Sequence, residues 1–275
     1  MNLSLHGYEP RPAELSAVTA MLRSNGAIRA AILEGAPGCG KTALAQAVAA
    51  STGARLVYAL LHSWSDDQEL FSGVDVAAAV EGDAARVRQP GILAVAAEAS
   101  RHGLTVLCLD EVDKVQERTE NLLLDFLQTG RVPVRPGLHL EADRANMLVF
   151  LTSNGAREFS DALLRRVRRV RMQPLPAEMC VRLATERSGA PSGVVRCLWK
   201  VAVPVAQADG AVLSVQELTH LAGDVWHCAT SAADVREYLG QWAARGSAGA
   251  ELAKTADVAA AWGEVAASRR KGGGR

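Results

Sequence analysis

Gly35-Ala36-Pro37-Gly38-Cys39-Gly40-Lys41-Thr42 sets four free positions between two glycines and ends on Lys-Thr. Ala30-Ala31-Ile32-Leu33-Glu34 precedes it and an alanine-rich run, Lys41 to Ala50, follows it. The first flank reads as a short buried strand. The second holds strong helix formers and no breaker, and so reads as a helix. Between a strand and a helix, this pattern is a phosphate-binding loop. Its glycines let backbone N–H groups wrap phosphate oxygens at a helix N-terminus. Lys41 sets a cation against the β- and γ-phosphates, and the Thr42 hydroxyl is a Mg²⁺ ligand. Gly35, Ala36, Pro37, Gly38, Cys39, Gly40, Lys41 and Thr42, with Leu44 on the helix that follows, are therefore the expected residues for binding a nucleoside triphosphate, with ATP the nucleotide expected.

A triphosphate site needs an acid at the tip of a second buried strand, and Leu104-Thr105-Val106-Leu107-Cys108-Leu109-Asp110-Glu111 supplies two. This is a Walker B segment. Asp110 is expected to hold the Mg²⁺, usually through water, and Glu111 to polarise the attacking water, because such catalysis is mostly positioning and charge stabilisation.

The 275 residues, 49% hydrophobic and 22% charged, suffice for a large α/β core plus a smaller second domain. Lys and Arg balance Asp and Glu at 30 each, so no global field recruits nucleic acid or an anionic membrane, although a local basic patch remains open. Neither a signal segment nor an apolar run of membrane-spanning length stands out, and a cytoplasmic protein with no membrane partner is expected. The five cysteines, Cys39, Cys108, Cys180, Cys197 and Cys228, show no metal-ligand spacing and read as reduced. Cys39 is either a tolerated filler in the loop or a reactive thiol near a helix N-terminus. The six histidines lack metal-like clustering.

Strands and helices alternate along the first two thirds of the chain, which argues for a mainly parallel sheet covered on both faces. Helices are expected over 12–23, 92–101 and 117–128, a second strand over 55–61, and a hairpin from Arg131 to Leu140. The buried strand Asn146 to Thr152 ends at Ser153-Asn154. Asn154 there is either a sensor reaching the γ-phosphate or lytic water, or simply a turn former with Gly155. Ser160 to Arg171 reads as a short helix running into an arginine-rich strand. Its arginines suit a nucleic-acid patch, a solvated face, or a reach toward a neighbouring subunit's phosphate. After Pro174-Leu175-Pro176 the strands stop and helical periodicity continues. The division expected is 1–175 as a nucleotide-binding α/β domain with an N-terminal helix, 176–262 as a helical lid with further helices, and 263–275 as a frayed basic tail.

These ordered parts resemble the AAA+ ATPases, and within them the MoxR-like and dynein-related branch. The resemblance runs from about Gly26 to Lys200. It includes the loop Gly35 to Thr42, Phe71-Ser-Gly73, Gln89-Pro90-Gly91-Ile92-Leu93, Leu109-Asp110-Glu111-Val112-Asp113-Lys114, Leu127 to Val132, Thr152-Ser-Asn154 and Ala162-Leu-Leu-Arg-Arg166. It implies a P-loop NTPase sheet with a smaller α-helical lid, and nucleotide bound between the subunits of a homo-oligomeric ring, usually a hexamer. An arginine from one subunit would complete its neighbour's site. Arg166 takes that place by position and Arg165 is the alternative. Gly193-Val-Val-Arg196 matches the opening of a lid helix that carries a second sensor, Arg196, and reads equally as a surface arginine. Two departures stand out. Arg165 occupies a position that is often acidic in the branch, and the helices beyond Ala232 match no family pattern. The resemblance implies an ATP-hydrolysing motor that remodels a protein client or accessory subunit. Competing classes are a nucleic-acid machine, such as a helicase loader or a restriction or phage NTPase, and a nucleotide switch with little turnover.

Overall fold

The computed structural model describes Leu5 and residues 7–24, 27–74, 88–135 and 137–272. Two compact units divide the chain: Met1–Ala36 with Gly40–Gln173, and Pro37–Cys39 with Pro174–Arg275.

The first unit is built on a five-stranded sheet of β1 (Arg29–Glu34), β2 (Arg55–Leu60), β5 (Thr105–Asp110), β8 (Met147–Ser153) and β9 (Arg168–Arg171), in the order β2-β5-β8-β1-β9. Every pairing in it is parallel. A parallel sheet needs crossover connections and cover on both faces, so its inner strands are apolar throughout rather than alternating. β8, at the centre, is buried at all seven positions, and only the last residues of β1 and β5, Glu34 and Asp110, are half-buried. Helices α1 (Pro12–Arg23), α2 (Lys41–Thr52), α4 (Ile92–Ser100) and α5 (Glu117–Thr129) belong to this unit, with the single turn α3 (Asp67–Leu70). α5 buries Leu123, Phe126 and Leu127 from its expected apolar face. Two antiparallel ribbons complete it, β3 (Ser72–Val74) with β4 (Arg88–Pro90), and β6 (Arg131–Arg135) with β7 (Leu138–Glu141), the expected hairpin. Residues 75–87, part of the irregular stretch before the Walker B segment, lie outside the described residues. A one-turn helix, α6 (Asp161–Leu164), capped by the Ser160 hydroxyl, leads into β9.

The second unit is helical: α7 (Ala177–Ser188), α8 (Ser192–Ala208, running through Pro204), α9 (Val215–His227), α10 (Ala232–Ala243), α11 (Ser247–Thr255) and α12 (Ala259–Gly272) around a core of Leu198, Leu218, Leu221, Val225 and Leu239. Reciprocal capping boxes, Ser214 with Glu217 and Ser231 with Asp234, start α9 and α10. The frayed tail expected over 263–275 is corrected as far as Gly272, for α12 continues through it. Val265 is fully buried, and the Arg269 guanidinium donates to the carbonyls of Ala229 (2.8 Å) and Trp226 (2.5 Å) at the end of α9, where helix carbonyls lack intrahelical donors. Among the described residues no helix is long and apolar enough to cross a membrane.

Candidate nucleotide site

Lys41, Thr42, Asp110, Glu111 and Asn154 of the first unit gather at the carboxyl ends of β1, β5 and β8, where parallel α/β sheets place their ligand crevices. The loop after β1 is docked at its start by the Gly35 N–H, which donates to the Ser153 carbonyl at 3.2 Å. Gly38 and Gly40 have φ of 79° and 96°, a region that side chains avoid, and a Cβ on Gly40 would come within 3.3 Å of the Tyr8 ring. Lys41, buried at the first turn of α2, donates from Nζ to the carbonyls of Gly35 (2.6 Å) and Ala36 (3.0 Å) and to Oδ1 of Asn154 (2.7 Å). The loop is thus curled about the ammonium that a phosphate would meet.

Asp110 ends β5 and gathers three hydroxyl donors. Thr42 (3.0 Å) and Tyr58 (3.1 Å) donate to its Oδ2, and Thr152 donates to Oδ1. Burial first, then the Asp110 charge, pushes the Tyr58 phenol up to about 12, which keeps it a donor. A carboxylate and a hydroxyl side by side are the all-oxygen set that suits Mg²⁺, which keeps waters and shares its remaining positions with phosphates.

Glu111 follows with φ 58°, the only positive φ outside glycine among the described residues. Such a backbone costs on the order of 1–3 kcal/mol and persists where its surroundings fix it. Here the buried Thr152 hydroxyl accepts the Glu111 N–H at 3.0 Å, Asn154 Nδ2 donates to Oε1 at 3.0 Å, and Lys114 Nζ lies 2.5 Å from Oε2. The hydrogen bond and charge of Glu111 in turn raise the Lys114 pKa.

Asn154 forms the turn expected of it with Gly155. Its turn is real, with the N–H groups of Asn154 (3.0 Å) and Ala156 (2.8 Å) converging on Oδ2 of the buried Asp113, and Gly155 N–H on Ser153 Oγ (3.0 Å). That turn presents the Asn154 amide between Lys41 and Glu111. A cleft of about 970 Å³ opens beside it, walled by Gly35, Ala36, Asn154, Arg157 and Arg169.

The expected arginines stand apart from this cluster. Arg166 donates to the Ala162 carbonyl (2.8 Å) and to Gln128 Oε1 (2.6 Å), while Arg165, next to it, is exposed. On β9, Arg169 is paired with Glu34 at 3.1 Å, and the exposed Arg168 and Arg171 side chains make no ion pair among the described residues. Arg196, in the helical unit, is paired with Glu178 at 2.9 Å. Sequence reasoning missed Tyr58, Thr152, Asp113 and Lys114 as parts of the site. For Thr152 a signal existed, a hydroxyl residue at the tip of an otherwise apolar buried strand beside two acids. For Tyr58 none did, because its role depends on strand register.

Comparison with known proteins yields no match among curated sequences. Among solved structures, a proline-to-glycine mutant of RuvB from Thermotoga maritima superposes with a TM-score of 0.52 at 12% identity, over 92% of this chain and 71% of that one, a likeness of fold alone. Residues 30–167, half of the chain and the span from β1 to the residue before β9, match the model of the AAA domain of the dynein-related subfamily, and the chain belongs to that family.

Proposed function

We propose that this protein is a cytoplasmic Mg²⁺-dependent ATPase of MoxR-like type, working as a ring, most simply a hexamer, that spends ATP on remodelling a protein partner or accessory subunit. The observation that carries the reading is the continuous set of side chains from Lys41 through Asn154 to Glu111, beside Thr42 and Asp110. The loop N–H groups and Lys41 bind and orient the β- and γ-phosphates. Thr42 and Asp110 are the residues that would hold Mg²⁺, whose charge neutralises the phosphate oxygens as the bond to the leaving group lengthens. Glu111, with Asn154, orients the attacking water and accepts its proton. By position in the family's motifs, an arginine in trans, Arg166 or Arg165, meets the γ-phosphate charge, and Arg196 acts as a second sensor. Membership of the AAA family and the intact acids favour turnover over a silent switch.

The exposed Arg168 and Arg171, without ion pairs among the described residues, favour the second reading, a nucleic-acid-associated NTPase. Binding of that kind releases counterions and weakens steeply with salt. Tight DNA or RNA binding at physiological salt, or stimulation of ATPase activity by either, decides for it.

The direct test is Glu111→Gln, with binding and hydrolysis measured in one preparation. The variant is expected to retain Mg²⁺ and ATP and lose most turnover, and the stalled protein to retain its client in a pull-down. Loss of binding together with turnover would give Glu111 a structural role instead.

A further inference from the structure

We infer that Tyr58 is a positioning residue for the metal site, holding the Asp110 carboxylate from the outer strand of the sheet. The inference rests on the Mg²⁺-nucleotide reading above. β2 is an edge strand, and Leu56, Tyr58 and Leu60 alternate onto one face of it, 37%, 44% and 39% exposed. Leu56 and Leu60 have no polar atom to place. Tyr58 does, and its hydroxyl reaches Asp110 Oδ2 on the neighbouring strand at 3.1 Å.

Register explains the reach. Tyr58 is level with Cys108, so Asp110, two residues further on and on the same face, is its diagonal neighbour. Only a long or aromatic side chain spans that diagonal. Serine or threonine at 58 would leave the carboxylate untouched, and phenylalanine would fill the same volume without the donor.

Asp110 shares its carboxylate among three hydroxyls. Its Oδ1 is held by Thr152, while Oδ2 takes Thr42 and Tyr58. A Thr42 hydroxyl that meets a metal ion does so through an oxygen lone pair, so its bond to Asp110 depends on where the ion sits. Tyr58 reaches Oδ2 from the outer strand and has no such second task. Residues that orient a metal-binding group through a hydrogen bond are typically worth about 10- to 100-fold in metal affinity. The retained Thr152 bond and the half-open phenol put Tyr58 at the lower end, about tenfold.

The test compares the full-length wild type with Tyr58→Phe, using a fluorescent ATP analogue titrated first in EDTA and then against Mg²⁺, with Mn²⁺ binding followed by electron paramagnetic resonance. Tyr58→Phe is expected to bind the metal-free analogue as the wild type does, to need about tenfold more Mg²⁺ or Mn²⁺ at the midpoint, and to recover most of its kcat at saturating Mg²⁺. Added to Asp110→Asn, the same change is expected to shift nothing further. An unchanged metal midpoint, or an equal loss of affinity with and without metal, would overturn the inference while leaving the ATP reading intact. A wild type that binds no nucleotide under either condition would overturn both.

Discussion

Replacing Thr152 with Val tests whether one buried hydroxyl sets the geometry of both acids. Valine matches threonine in shape and strand preference, so β8 itself is not disturbed. The side chain is wholly buried, accepts the Glu111 N–H at 3.0 Å and donates to Asp110 Oδ1. Removing it leaves an orphaned backbone N–H, which costs about 1–3 kcal/mol, and deletes a bond to a charged group worth about 1.5–3 kcal/mol. The added methyl returns about 0.8 kcal/mol. Because the two losses share one side chain and Asp110 keeps its other donors, the sum is not fully additive. A net destabilisation of about 2–3 kcal/mol is expected from these terms. Urea unfolding followed by amide exchange in β5 and β8 reads the α/β unit without contribution from the helical one. Turnover is expected to fall tenfold or more, roughly the rate cost of 1.4 kcal/mol in the transition state, since Glu111 loses the contact that pins its left-handed backbone. Thr152→Ser, which restores the hydroxyl, is expected to recover most of both. If Thr152→Val unfolds at the wild-type urea concentration and hydrolyses ATP at the wild-type rate, the reasoning about this hydroxyl is wrong.

Two further outcomes are expected. Lys41→Ala and Arg166→Ala, each inactive alone, should regain part of the ATPase rate when mixed, since some interfaces then pair an intact loop with an intact arginine; trans-acting arginines are worth about 10³–10⁵ in rate. Arg165→Ala is expected to be milder, and wild-type turnover in Arg166→Ala, or activity that persists in a demonstrated monomer, would refute the ring. The Glu120 carboxylate is buried, which pushes its pKa up, but the Ser160 hydroxyl and N–H and the Arg157 guanidinium outweigh burial and hold it below its ordinary value. A depressed carboxylate contributes stability above its unfolded pKa of about 4.3 and loses it as pH falls through the folded value. The stability difference between wild type and Glu120→Gln should therefore be constant from neutral pH to about pH 5 and shrink below about pH 4, as equilibrium unfolding at each pH would read.

Local signals were the legible ones. The loop, the acid pair, the strand that ends at Asn154 and the helices with one apolar face could be read because each depends on a few consecutive residues or on a short period. Contacts fixed by register or by long loops could not. Tyr58 meets Asp110 across 52 positions because β2 lies beside β5. The buried Glu120 looks like any acid in the first turn of a helix, yet it receives Ser160 from 40 residues away. The expected tail failed for a related reason. Glycines at 263 and 272–274 read as breakers, whereas Val265 and Arg269 find partners on helices that only tertiary packing supplies.

Asn154 ties the binding half of the site to the chemical half. Its carbonyl oxygen accepts from Lys41 and its amide nitrogen donates to Glu111, so one planar group spans the phosphate-binding cation and the proposed base. An arriving phosphate competes for the Lys41 protons with neutral oxygens, those of Gly35, Ala36 and Asn154, and hydrogen bonds to a charged acceptor are roughly twice as strong as those to a neutral one. If a bound phosphate takes the proton that Lys41 gives Asn154, one end of the group that restrains Glu111 is released, with Asp113 still holding the asparagine's backbone. On the function proposed above, that would tie water activation to an occupied loop.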